Sequence, residues 1–129
     1  MMSDRAQACY EKFKENLALA KRINLTLPGD RAWSCVVRFY AAVHLLNAYL
    51  IDKERVRFDP GSAEHTERKK AMDQCPELRD APKRYRQLKD VSESVRYDAG
   101  FNYTDDHHKD VRAHLDKIIA IVEPKIKKA

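Results

Sequence analysis

The chain has 129 residues, of which 35% are charged and 43% hydrophobic, and it carries a formal net charge of +5 with a pI near 9.1. That balance excludes a disordered chain, and no apolar run approaches the roughly 20 residues that a membrane-spanning helix needs. The length predicts one domain over 1–129 with a core that needs no disulfide or metal staples.

The start, Met1-Met2-Ser3-Asp4-Arg5, lacks the apolar stretch and cleavage site of a signal peptide. Cys9, Cys35 and Cys75 are widely spaced and odd in number, which suits a reducing compartment and buried apolar positions. A cytoplasmic protein with no membrane association is therefore expected. The basic bias favours anionic partners. It is concentrated at Arg68, Lys69 and Lys70, at Arg79, Lys83, Arg84, Arg86 and Lys89, and at Lys125, Lys127 and Lys128. Any one such run, taken alone, reads first as a solvated helix face.

Five helical segments are predicted, giving an all-α, antiparallel four- to five-helix bundle. The first runs from about Ser3 to Asn24, with Tyr10, Phe13, Leu17 and Ala20 at helical spacing. After Leu27-Pro28-Gly29, Asp30 can cap a second helix reaching about Lys53. That helix is apolar on more than one face, through Trp33, Val36, Val37, Phe39, Val43, Leu46, Leu50 and Ile51. It should lie at the centre of the bundle or in a dimer contact. Ser62 can cap a short third helix to about Gln74, which Pro76 closes. Asp80 and Pro82 open a fourth, with Ala81, Tyr85, Leu88, Val91 and Val95 as its core stripe and Gly100 as a left-handed stop. Thr104, Asp105 and Asp106 start a fifth, whose stripe is Val111, Leu115, Ile118 and Val122 and which Pro124 ends or kinks.

With three glycines in the whole chain there is no Gly-rich phosphate loop, and no serine stands in a nucleophile elbow. His107, Asp110 and His114 share one helical face, but acidic residues in a first helical turn are ordinary capping and dipole chemistry, so no metal or other cofactor is expected. Tyr40, His44 and Asn47 form a polar line inside the apolar second helix. Buried polar groups need partners, so these three should hydrogen-bond one another or a neighbouring helix. Arg38 and His44, six residues apart, point about 120° away from each other on a straight helix and do not form a catalytic pair.

The run Phe39-Tyr40-Ala41-Ala42-Val43-His44-Leu45-Leu46-Asn47-Ala48-Tyr49-Leu50, then His65, then Ser92-Glu93-Ser94-Val95-Arg96-Tyr97-Asp98, resembles the HEPN superfamily over roughly residues 30–123. The first helix, 3–24, would pack on that core. These are small helical bundles, often dimeric, many of them metal-independent RNases or toxin halves of two-gene defence modules. The family's RNase pattern is an Arg near a helix end, a His after four to six intervening residues, and often a Tyr two positions later. By that resemblance Arg96 is the candidate Arg and Tyr103 the candidate Tyr. Positions 101, 102 and 103 are Phe101, Asn102 and Tyr103, so the motif histidine is missing, and His65 is the best substitute from elsewhere in the chain. Losing a general acid or base costs about 10²- to 10⁴-fold, which leaves a poor nuclease.

The resulting expectation is a HEPN-like homodimer that binds RNA or a nucleotide with weak or absent catalysis. Arg96, Tyr103 and His65 would line its site, with Arg68, Lys69, Arg79, Lys83, Arg84, Arg86 and Lys89 as binding residues. A paired antitoxin or nucleotidyltransferase-like protein is the partner that the resemblance implies. Two alternatives stay open: a protein-interaction or assembly module without nucleic-acid binding, and a metal-independent RNase using Arg96 with a non-standard histidine.

Overall fold

A computed structural model describes residues 2–23, 27–56 and 64–126. Among them the protein is an all-α bundle of five helices: α1 (Asp4–Arg22), α2 (Pro28–Asp52), α3 (Glu64–Asp73), α4 (Ala81–Tyr97) and α5 (Asp105–Val122). Short 3₁₀ turns at Pro76–Leu78 and Glu123–Lys125 follow α3 and α5. α2 is the central element and packs against each of the other four helices. Its Cys35, Phe39, Ala42, Leu45, Leu46, Ala48 and Leu50 are essentially inaccessible to solvent. Each large aliphatic side chain so buried contributes about 1.5–3 kcal/mol.

Gly29–Asp52 does meet the length and hydropathy of a membrane-spanning helix, contrary to the expectation from apolar runs, with a mean hydropathy of 1.4. Within the bundle 78% of that window is buried, as befits a helix covered on several sides. The other helices bury one stripe each. Tyr10, Phe13 and Ala20 of α1 and Val111, Leu115, Ile118 and Val122 of α5 are buried as their spacing predicts. On α4 the stripe is buried at Ala81, Tyr85 and Leu88, while Val91 and Val95 are half-buried at its edge.

Several boundaries differ from the sequence expectations. α2 begins at Pro28, after Leu27, so Asp30 lies inside the first turn; there it complements the helix dipole instead of capping. The expected Ser62 cap and residue Asn24 lie outside the described residues. Pro76 opens a 3₁₀ turn as well as ending α3's reach, and Arg79 closes that turn with φ 50°. Asp80 precedes α4 with no capping bond from its side chain.

Gly100 does not adopt the left-handed conformation. The end of α4 is made by Asp98 instead, whose Oδ1 accepts from the Gly100 N–H at 3.0 Å and whose carbonyl accepts from the Phe101 N–H at 3.0 Å. Thr104 caps α5 as expected, and His107 completes a capping box by accepting the Thr104 N–H at Nδ1, 3.0 Å away. Cys35 and Cys75 are buried free thiols, whereas Cys9 is only partly buried.

Candidate functional site

α3 is short and mostly polar, and what fastens it to the bundle is Arg68, only 1% exposed. Its Nε donates to Asn47 Oδ1 of α2 at 2.8 Å, and its Nη1 donates to the Tyr85 hydroxyl of α4 at 3.0 Å. Glu64 lies 3.7 Å from Nη2. A guanidinium only donates, so His65 Nδ1, 3.2 Å from Nη1, is an acceptor and the ring carries its proton on Nε2. Burial and then Arg68, Lys89 and Arg96 push the His65 pKa down, which keeps the ring neutral. Arg68, expected among the binding residues on the surface, is thus a buried structural hub.

Docking α3 on α4 in this way leaves a cavity of about 370 Å³ between them. Met72 and Tyr85 line its apolar part, Lys69, Arg86 and Lys89 bring positive charge, and His65 borders it. Asp90 is the carboxylate in its lining. Lys89 pairs with Glu93 at 2.6 Å, and Arg86 faces Asp73 at 3.8 Å. Both pairs are open to solvent, so each is worth little and is readily exchanged for an anionic ligand.

Arg96 extends this face along α4. Its Nε donates to the Ser92 carbonyl at 3.3 Å, folding the side chain back, and its Nη1 donates to the Tyr40 hydroxyl of α2 at 3.1 Å. The guanidinium lies 5.0 Å from the Tyr97 ring centroid and 5.7 Å from that of Tyr40. Tyr97 is 77% exposed, which leaves an aromatic surface beside a cation.

Of the residues expected at the site, the structure brings His65, Lys69, Arg86 and Lys89 around one cavity, with Arg96 close enough to influence His65. Tyr103 is directed elsewhere: its hydroxyl lies 3.1 Å from His108 Nδ1 and bonds the Cys35 side chain. Burial raises the Tyr103 pKa and pushes that of Cys35 up to about 12. Arg79 and Lys83 are exposed and do not line the cavity. Arg84 lies on the other side of α4, with Nη1 donating to His114 Nδ1 of α5 at 3.2 Å.

The polar line on α2 divides. Asn47 and Tyr40 take bonds from Arg68 and Arg96, while His44 is half-buried, without a hydrogen bond to any described residue, in a groove of about 500 Å³ between α1 and α2. Trp33, 57% exposed, and Val37 line the same groove. Arg38 faces Arg112 and Asp116 of α5, so it diverges from His44 as helical geometry requires. No cluster of potential metal ligands occurs among the described residues, and the His107 and His114 Nδ1 atoms are taken up by Thr104 and Arg84.

Searches of protein-family models, curated proteins and solved structures give no match to this chain.

Proposed function

We propose that the protein is a HEPN-like domain that binds single-stranded RNA or a nucleotide without efficient nuclease chemistry. The observation that carries this reading is the α3–α4 cavity, bordered by Lys69, Arg86 and Lys89, together with Arg96 seven residues beyond Lys89 on the same face of α4 and flanked by Tyr40 and Tyr97. Cations that track a phosphate backbone beside exposed aromatic faces are what sequence-tolerant binding of single strands requires. A pocket of this size is also in the range that holds a small ligand.

The chemistry points away from strand cleavage. His65 is the imidazole nearest the cations, but its Nδ1 lone pair is occupied by Arg68, so it can donate to a phosphate and is poorly placed to accept a proton. Filter binding of a short single-stranded RNA at about 50 and 200 mM salt tests the reading. Retention should fall steeply with salt and weaken in an Arg86→Ala, Lys89→Ala double variant. No retention at low salt would remove it.

The reading includes a homodimer in the cytoplasm, as part of a two-gene module with an antitoxin or nucleotidyltransferase-like partner. Support for self-association comes from Trp33, which is large, apolar and exposed beside Val37, with Tyr40 joining that face to Arg96. The same surface favours the rival reading, an assembly module that binds no nucleic acid. Sedimentation equilibrium together with the RNA titration separates the two, since the rival predicts association without retention.

A further inference from the structure

Along their shared cavity α3 and α4 run antiparallel. Arg86 faces Asp73 at the end of α3, whereas His65, near its start, feels the charges of Lys89, Arg96 and Glu93 further along α4. On α3 the cavity face is His65, Lys69 and Met72, at i, i+4 and i+7, and on α4 it is Arg86, Lys89 and Asp90 beside Tyr85. Each helix thus presents one face to a volume of about 370 Å³, in the range that holds one small ligand.

Two of the cations there already have carboxylates, Lys89 with Glu93 at 2.6 Å and Arg86 with Asp73 at 3.8 Å. Lys69 and Asp90 have none. They carry opposite charge and line the same cavity from opposite helices, yet neither forms an ion pair or hydrogen bond with the other or with any described residue. Both are exposed, so a ligand that reaches them has no existing pair to break. An ammonium only donates and a carboxylate only accepts, so the unclaimed capacity of the cavity is one cationic donor and one bidentate acceptor. Met72 and Tyr85 supply apolar surface in the same lining.

A ligand that completes this set has apolar faces, two adjacent donors on its edge and acceptors beside them. Guanine is the nucleobase with that pattern. Its N1–H and 2-amino group can both donate to one carboxylate, while O6 and N7 accept from an ammonium. Adenine turns the N1 lone pair toward the carboxylate, cytosine sets the N3 lone pair beside its amino group, and uracil flanks a single N–H with two carbonyls. Each of these brings an acceptor against Asp90 and is disfavoured. We propose that the α3–α4 cavity selects guanine, in a free nucleotide or in single-stranded RNA, with Asp90 accepting from N1–H and the 2-amino group and Lys69 donating to O6. The selectivity rests on the RNA- or nucleotide-binding reading above and names the base that it takes. Arg86 and Lys89, whose present partners are exchangeable, are left for the phosphate.

The full chain is titrated at low salt against two short oligouridines, one carrying a single central G and the other a single central A, and separately against GMP and AMP by calorimetry. The G-bearing strand should bind about tenfold more tightly than the A-bearing one, the discrimination that one bidentate base contact supplies. A preference confined to the strands places guanine within RNA, and one shared by GMP over AMP extends it to the free nucleotide. Asp90→Asn exchanges an acceptor oxygen for a donor at an exposed position with no bond in the fold, and it should erase the preference. Lys69→Ala should reduce it. Equal affinity for the two strands and for the two nucleotides overturns base selection while leaving RNA binding in place. Binding of neither strand and neither nucleotide overturns the RNA reading and base selection with it. A preference for guanine that survives intact in both variants overturns the assignment to this cavity.

Discussion

Arg68 and Asn47 meet inside the bundle, Nε donating to Oδ1 at 2.8 Å, so that one guanidinium ties α3 to the middle of α2. Tyr85 takes a second bond from the same group, and α4 is thereby joined to the same point. Arg68→Ala removes both and leaves the Asn47 carbonyl and the Tyr85 hydroxyl without their donor. The expected loss is about 3 kcal/mol of unfolding free energy, read as a fall in the urea midpoint. Arg68→Lys, which has one nitrogen where two are needed, should lose about 1–3 kcal/mol, and an unchanged midpoint for both variants would show that the network is not stabilising.

Tyr97 is the most exposed aromatic residue described and packs against Arg96. Tyr97→Ala should leave the thermal midpoint within experimental error, because nothing in the core rests on it. RNA affinity should drop by about 1–3 kcal/mol if a base stacks on its ring. Full affinity in that variant would place the bound strand elsewhere.

No imidazole accompanies Arg96 in the turn after α4. Phe101 faces His107 with ring centroids 5.0 Å apart, while the aromatic neighbours of Arg96 are Phe39, Tyr40 and Tyr97. Phe101→His would therefore put its ring against His107, not against the guanidinium. Wild type and Phe101→His should both leave a fluorogenic RNA uncleaved over the buffer rate in EDTA. Metal-independent cleavage by either one, lost in Arg96→Ala, would reveal an active site at this turn.

Stability should fall between about pH 7.5 and pH 5.5. Burial, ahead of neighbouring cations, lowers the pKa of His44, His65, His108 and His114 below the ordinary 6.5. Such a group binds fewer protons folded than unfolded, so its contribution is complete above 6.5 and is lost as the pH falls through 6.5 toward the folded value. Glu77, lowered chiefly by its bond from the Tyr49 hydroxyl, loses its contribution only below the ordinary 4.5 and does not enter this window. Urea midpoints at the two pH values should differ, and His44→Gln should narrow the difference; identical midpoints for the wild type would contradict the burial argument.

The helices were legible because apolar periodicity reports burial directly. The stripe of α5 is buried at every expected position, and α2, apolar on several faces, is the helix that touches all the others. Terminations were less legible, since Asp98 does locally with its side chain and carbonyl what Gly100 was expected to do with its backbone freedom. Arg68 was misread because charge alone suggests a solvated face. The corrective signal was in its own helix, where Ala71 and Met72 follow at three and four residues and are buried on the same side. Asn47, an amide inside an apolar helix, advertised the need for a partner without naming it.

The central place of α2 also shapes how the protein is made. Its apolar surface is completed by α4 and α5, which leave the ribosome after it, so the α1–α2 hairpin emerges with one flank still uncovered. Over that interval a segment hydrophobic enough to pass for a membrane span is exposed to chaperones, to membranes and to other nascent chains. That flank is covered when Val111, Leu115, Ile118 and Val122 pack onto it, so truncation before α5 should expose it and favour aggregation.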